Sequence, residues 1–96
     1  MAQKQKTLTP NDTIPGVRDN QNSNVRIYEV TVNDEPGYTV FGIIGTDLWG
    51  INNQLIALHG CYINIYTKIA NVIYVNNSGI NITINTVLAY CIYHKH

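Results

Sequence analysis

The chain has 96 residues, a formal net charge of zero and 12% charged residues, whereas about 25% is usual for a soluble domain. This length allows one domain, and the neutral balance offers no electrostatic basis for binding nucleic acid or an anionic membrane. No apolar run reaches the roughly 20 residues that span a bilayer, and the first residues lack the hydrophobic core of a signal peptide, so we expect synthesis in the cytoplasm.

Residues 1–24 are rich in Gln, Asn, Asp, Thr and Pro and hold too few apolar residues to form a core. We predict an extended N-terminal arm, separate from a β domain at 25–96, that is pinned against a partner protein or a neighbouring subunit. Two prolines keep the arm extended and three apolar residues anchor it. The candidate partner-binding residues are Leu8, Pro10, Ile14, Pro15 and Val17. The alternative is an arm fixed by its own domain.

The first half of the β domain contains two alternating segments, 25–32 and 38–44, which we predict to be antiparallel neighbours. Pro36 and Gly37 between them are typical of a turn. The glycines, Asp and Asn of 45–53 predict the main internal loop. The apolar run 55–58 then suits either a strand buried on both faces or a short helical turn.

The second half of the domain alternates apolar and polar residues with hardly a charge. Residues 61–69 predict one strand, and Ile80, Ile82 and Ile84 predict one face of another. The turn residues 76–79 between strand-like runs predict a β-hairpin. Residues 86–93 are apolar on both faces, which is typical of a strand that is central or buried by a neighbour. With about seven strands in all, we expect an all-β fold, a small antiparallel sandwich or barrel with a jelly roll as one possibility.

Charge is scarce in this half, since Lys68 and Lys95 are the only fully charged residues after Asp47. A surface with so little charge favours coverage by other subunits. Tyrosine buries contact area at low entropic cost and keeps a polar tip, so the tyrosines of this half are candidates for an oligomer interface. They are Tyr62, Tyr66, Tyr74, Tyr90 and Tyr93. Ordinary packing within the sheets is the alternative for all of them.

Trp49, the only tryptophan, falls in the predicted loop with Asp47 and Asn52 nearby. An exposed indole flanked by Asp and Asn can stack on a sugar ring while the polar groups bind its hydroxyls, which makes these three residues a candidate glycan contact. The alternative, which we favour, is a tryptophan that closes the end of the sandwich or packs in an interface.

Neither a metal site nor a catalytic site is expected. Histidines and cysteines are the usual zinc ligands, but Cys91 and His94 fall on opposite faces of one strand. In a reducing compartment Cys61 and Cys91 are expected to be free thiols rather than a disulfide. The acidic residues are dispersed and form no pattern typical of catalysis, so we expect a protein without enzymatic activity, metal or cofactor.

A polar N-terminal arm followed by a charge-poor β domain with Asn/Thr/Ile alternation, as in GINITINTVLAYCIYH, resembles small bacteriophage virion proteins. The resemblance is to capsid decoration proteins, head fibres and receptor-binding tips, and it extends over the whole chain in style without a diagnostic motif. It implies a virion structural protein whose arm docks on a major capsid, tail or fibre protein. It also implies a domain that forms a homo-oligomer, with a trimer favoured. A glycan- or receptor-binding tip is the alternative function.

Overall fold

The computed structural model describes residues 2–16, 23–51 and 55–96, and in these residues the chain forms β-strands and no α-helix. The all-β, sandwich-like prediction is confirmed, because the strands lie in two antiparallel sheets that do not close into a barrel. In chain order the strands are β1 (Ala2–Leu8), β2 (Asp12–Ile14), β3 (Val25–Thr31), β4 (Tyr38–Ile51), β5 (Ile56–Asn64), β6 (Ile69–Asn76) and β7 (Ile82–Lys95).

The first sheet is built on β7, which pairs along both of its edges. β1 and β2 follow one another along one edge, with Ala2 opposite Tyr93 and Ile14 opposite Ile82. β4 runs along the other edge over almost the whole length of β7. The prediction that residues 86–93 form a central strand is therefore confirmed.

The second sheet has the order β3-β6-β5 and covers one face of the first. β3 lies near β1, and β5 lies near β4. The long β4–β7 pair gives the molecule an elongated shape, with extents of 47 × 23 × 18 Å. The core fills the space between the sheets with side chains from β2, β3, β4, β6 and β7. The buried side chains of this core are Ile14, Tyr28, Val30, Val32, Val40, Leu48, Ala70, Val72, Tyr74, Ile82, Ile84, Val87, Ala89, Cys91 and Tyr93.

Two predicted strand pairings are wrong. β3 pairs with β6 and β4 with β7, so segments 25–32 and 38–44 are not neighbours in one sheet. The turn at 76–79 connects the second sheet to the first and does not close a hairpin. The turn chemistry itself was correctly predicted, because Gly37 and Gly79 have φ values of 79° and 85°. Turn residues indicate that the chain reverses direction, but they do not indicate which sheet contains the next strand.

The predicted single strand at 61–69 is also wrong, because a tight hairpin turn divides it into β5 and β6. The Oδ1 atom of Asn64 accepts hydrogen bonds from the backbone N–H groups of Tyr66 and Thr67, at 2.9 and 3.1 Å. The backbone N–H of Lys68 donates to the Asn64 carbonyl at 2.9 Å. Lys68 has a φ of 59°, a left-handed conformation that a lysine adopts only where its surroundings impose it.

The internal loop predicted at 45–53 is wrong for its described part, residues 45–51, which belong to β4. The backbone of β4 continues to pair with β7 there. Over the whole of β4 the register shifts three times, each time next to a glycine, as at β-bulges. Of the two alternatives for residues 55–58, Ile56–Leu58 belong to a strand, but this strand is not buried on both faces. Leu55 and Leu58 are 46% and 48% exposed, because β5 is an edge strand.

Candidate interaction surfaces

The N-terminal segment lies on its own domain in the part that the structure describes, residues 2–16. The backbone groups along one edge of β7 find their partners in β1 and β2. Ile14 is completely buried in the core and Leu8 packs against it, while Pro10 and Pro15 are half-buried. Val17 lies outside the described residues. Leu8 and Ile14 thus fit the alternative in which the domain itself fixes the arm. The first sheet of the domain begins at Ala2 rather than at residue 25.

The predicted tyrosine interface is divided between the core and the surface. Tyr74 and Tyr93 are 3% and 0% exposed, so these two belong to the sandwich core and not to an oligomer interface. The Tyr93 hydroxyl donates toward the carbonyl oxygens of Val32 and Asn33, at 3.2 and 3.0 Å. Strand alternation alone cannot tell which face of β6 or β7 meets the other sheet.

The remaining tyrosines are accessible. Tyr90 is half-buried; it lies opposite Gln5 and Gly45, on the face of the first sheet that points away from the core. Tyr62 is 55% exposed and Tyr66 is 90% exposed. These three remain candidates for a contact with a partner.

Tyr62 and Tyr66 flank a shallow groove at the β5–β6 turn. The groove has a volume of about 340 Å³, and it is lined by Tyr62, Ile63, Asn64, Ile65 and Tyr66. The nearest lysine in the chain, Lys68, forms an ion pair with Asp34 across 3.2 Å. The lining residues themselves are uncharged, and the side chains of Tyr62 and Ile65 are half exposed. This tip is therefore an exposed, largely apolar surface with polar tyrosine and amide groups at its edges.

The outer face of the second sheet is a second apolar surface. Val25 lies opposite Val75, and Ile27 lies opposite Ile73. These pairs share the face that points away from the core, because the neighbouring residues Tyr28 and Val72 are buried and side chains alternate along a strand. Ile27 is 58% exposed. A β-branched row of this kind on a solvent-facing sheet is typical of a contact surface.

The proposed glycan contact is only partly assembled by the structure. Asp47 and Trp49 lie on the same face of β4, two residues apart, and not in a loop. The indole of Trp49 is 57% exposed, so it is not buried in the core, and its packing in an interface stays a prediction. The Oδ1 atom of Asp47 accepts a hydrogen bond from the Leu48 backbone at 2.8 Å. Asn52 lies outside the described residues.

The cysteines are free thiols, with Cys91 buried and Cys61 half-buried. Burial raises the pKa of the Cys91 thiol, which makes it a poor nucleophile at neutral pH. Within the described ranges, no group of His, Cys, Asp and Glu side chains is gathered closely enough to hold a metal ion. In the same ranges no helix has the length and apolar character that crossing a membrane requires.

Two ion pairs lie along the side of the sandwich formed by β1, β2 and β3. Arg26 forms an ion pair with Asp12 at 3.1 Å, and the Tyr28 hydroxyl donates to the same carboxylate at 2.9 Å. Burial, together with this hydrogen bond, raises the pKa of Tyr28. Lys6 pairs with Glu35. This network therefore joins the two sheets along one side.

The Lys6–Glu35 ion pair also favours the charged form of both side chains. The hydrogen bond from Lys6 holds the pKa of the Glu35 carboxyl below its ordinary value, and the same bond raises the pKa of Lys6. Lys6 lies over the ring of Tyr93, with its ammonium 5.7 Å from the ring centroid. Sequence reasoning missed this pair, because Lys6 and Glu35 are far apart in the chain and carry no shared pattern.

Comparisons with protein-family models, curated proteins and solved structures gave no match to this chain.

Proposed function

We propose that this chain is a non-enzymatic structural protein of a bacteriophage particle, an auxiliary capsid (decoration) or head-fibre protein that self-associates through its β domain. The observation that carries the proposal is the surface of the domain, on which several large apolar side chains are about half exposed or more. They are Ile27, Ile44, Trp49, Leu58, Tyr62, Tyr66 and Ile80. A single 96-residue domain with 12% charged residues gains stability and solubility when such surface is covered by subunits.

The virion part of the proposal is supported by the resemblance of the whole chain in style to small phage virion proteins. This part is tested by identifying the proteins that purified phage particles contain. Mass spectrometry of density-purified particles from a culture that makes the chain should find it in many copies per particle. Particles that lack the chain, while it accumulates in the unassembled fraction of the same lysate, would contradict the proposal.

Attachment through the N-terminal segment is part of the same proposal. β1 is an edge strand, and its outward edge presents backbone groups to which a strand of a capsid, tail or fibre protein can be added. Gln3, Lys4 and Gln5 are exposed along it.

Charge reversal separates attachment by β1 from attachment elsewhere. Lys4→Glu places a negative charge in the proposed contact, and Lys95→Glu is the matched control on β7. We expect Lys4→Glu to reduce the number of copies per particle and Lys95→Glu to leave it unchanged. Equal occupancy for both variants would argue against attachment through β1.

Glycan binding is the second candidate function, and the exposed indole of Trp49 beside Asp47 favours it. A glycan array tests it directly, with Trp49→Ala as the control variant. Binding that disappears in the variant supports this function, whereas an array without signal removes it.

A further inference from the structure

Two aromatic side chains lie on the outer face of the first sheet, the face that points away from the core. Trp49 follows the core residue Leu48 along β4, and Tyr90 follows the core residue Ala89 along β7. Because side chains alternate along a strand, both rings point outward. Trp49 is 57% exposed and Tyr90 is half-buried, so a ligand on this face can reach both.

These rings belong to a row of aromatic positions along β7. Trp49 lies opposite Thr86. Tyr90 is four residues further along β7, and the exposed His94 is four residues beyond Tyr90. The ring of His94 contacts that of Phe41, with the centroids 5.1 Å apart. Each interval of four residues is about 13 Å at ~3.3 Å per residue, so the row is long and evenly spaced.

The absence of a side chain at Gly45 leaves open space beside Tyr90. Gly45 lies opposite Tyr90, and a Cβ atom there would meet nothing within 4 Å. Its φ is not positive, unlike the φ values of Gly37 and Gly79. Neither packing nor backbone conformation in the described chain therefore requires a glycine at this position. A glycine inside a strand weakens the strand and often marks the close approach of a ligand or of another backbone.

Polar side chains flank the row on both neighbouring strands. Gln5 lies opposite Tyr90, and Leu88 lies between Thr7 on one strand and Asp47 on the other. Residues directly opposite one another in an antiparallel pair share a face, so these polar side chains accompany the rings. All three are exposed. They supply amide, hydroxyl and carboxylate groups that can bond to the hydroxyl groups of a ligand.

Among the described residues of the first sheet, no lysine or arginine points to this outer face. Lys4 and Lys6 of β1 lie opposite core residues of β7, and Lys95 lies opposite Tyr38, which packs against the core. The three lysines are therefore on the other face. Asp47 is the one full charge on the outer face of these strands, so an acidic ligand would be repelled there without compensation.

We propose that the outer face of the first sheet binds a linear, neutral oligosaccharide that lies along β7, with sugar rings stacked on Trp49 and Tyr90 and the chain passing over Gly45. The apolar faces of the sugar rings pack on the aromatic rings, and their hydroxyl groups bond to Gln5 and Asp47. This inference rests on the second candidate function, glycan binding. It adds the class of ligand and extends the site beyond Trp49 and Asp47.

A protein partner matches this face less well than a sugar chain does. An apolar protein surface would bury the amide, hydroxyl and carboxylate groups without partners, which is costly for each group, whereas sugar hydroxyl groups satisfy them. The outer face of the second sheet is aliphatic instead, with Val25 opposite Val75 and Ile27 opposite Ile73. The two outer faces of the sandwich thus differ in the chemistry that they can bind.

Binding of the full chain to an array of linear oligosaccharides tests the class of ligand. The neutral probes are oligomers of glucose, galactose, mannose and N-acetylglucosamine, and oligogalacturonate is the acidic probe. We expect binding to at least one neutral series, and this binding should strengthen with chain length because a longer chain reaches more rings of the row. A preference for oligogalacturonate, or binding that does not change with chain length, would overturn the inference.

Calorimetric titration of variants with the tightest-binding neutral probe tests the site. Tyr90→Ala removes a stacked ring and Gly45→Val fills the open space, and we expect each to weaken binding roughly tenfold, the size of one lost stacking contact. Gly60→Val is the matched control, because a Cβ atom at Gly60 would also meet nothing within 4 Å and Gly60 lies on β5 of the other sheet. Circular dichroism verifies that each variant is folded, and Gly45→Ala takes the place of Gly45→Val if the larger side chain unfolds the protein.

The outcomes separate this inference from the functions on which it builds. Binding that Trp49→Ala abolishes and that Tyr90→Ala and Gly45→Val leave unchanged would overturn the inference and keep glycan binding as a function. An array without signal would overturn both and leave the virion role untouched. A Gly45→Val variant with unchanged glycan binding and an altered oligomer mass in gel filtration would assign the face to a subunit contact instead.

Discussion

The side-chain amide of Asn76 donates a hydrogen bond to the carbonyl oxygen of Ile14 at 2.9 Å, and this contact ties β6 of the second sheet to β2 of the first. The same amide donates to the Ile80 carbonyl at 2.8 Å. Its oxygen accepts from the backbone N–H and the hydroxyl of Ser78, at 3.0 and 2.6 Å. Asn76 is completely buried, so this neutral side chain joins the two sheets without a charge.

Replacement of Asn76 by alanine tests this junction. The carbonyl of Ile14 loses its side-chain partner in a buried position, and we expect Asn76→Ala to lower the free energy of unfolding by about 1–3 kcal/mol. Urea denaturation measures the change. Asn85→Ala, at an exposed position of β7, is the matched control and should change stability by no more than ~0.5 kcal/mol. Equal effects of the two substitutions would show that Asn76 has no special role.

Tyr93 and Tyr66 should respond in opposite ways to loss of the hydroxyl. The Tyr93 hydroxyl bonds to carbonyls that follow β3, so we expect Tyr93→Phe to destabilise the fold by about 1 kcal/mol. Tyr66 is 90% exposed, and Tyr66→Phe should leave the thermal midpoint unchanged. If Tyr66→Phe were destabilised and Tyr93→Phe were not, the assignment of Tyr66 to the surface and Tyr93 to the core would be contradicted.

Gly50 is required by a close approach of two strands. A Cβ atom at this position would lie 2.0 Å from the carbonyl oxygen of Thr83, whereas one at Gly45 would meet nothing within 4 Å. We expect Gly50→Ala to cost about 1–3 kcal/mol, as overpacking does, and to lower the thermal midpoint. Gly45→Ala should not lower it. Two variants of equal stability would contradict the close approach.

Stability should fall in acid because of Glu35. Its pKa is lower in the folded chain than its ordinary value of 4.5, owing to the hydrogen bond from Lys6. The stability from this pair is therefore fully present above the ordinary value and is lost as the pH falls through the lower, folded value.

Thermal midpoints measured from neutral to acid pH test this dependence. Glu35→Gln should flatten the decline in acid relative to the wild type. Glu29→Gln, at an exposed position of β3, should keep the wild-type dependence. A Glu35→Gln variant that declines as steeply as the wild type would argue against a contribution from the pair.

The sequence predicted the strand character of the chain well, because alternation is a local property. Ile82 and Ile84 face the core, as their spacing indicated, and residues 86–93 form a central strand. Ile80, predicted to share that face, precedes β7 and is 48% exposed. Strand pairing was not predictable in the same way, since it depends on contacts between distant segments. β4 stays paired with β7 along its glycines and Asp47, although these residue types by themselves are typical of a loop.

The candidate surfaces were predictable only in part. The shortage of charge predicted contacts with other subunits, and this stays a prediction. The exposed indole of Trp49 matches the less favoured of the two interpretations of that residue. The division of the tyrosines was not predictable, because alternation gives two faces and does not say which of them the other sheet covers. The positions of β4 and β5 at the edges of their sheets follow from the strand order, and no residue pattern in the sequence predicts them.

Self-association of the β domain is the central claim, and sedimentation equilibrium of the purified wild-type chain over a range of concentrations measures it most directly. We expect a mass that is a multiple of the 10.8 kDa chain and that falls toward this value on dilution if the contact is reversible. A mass of 10.8 kDa at every concentration would contradict the claim.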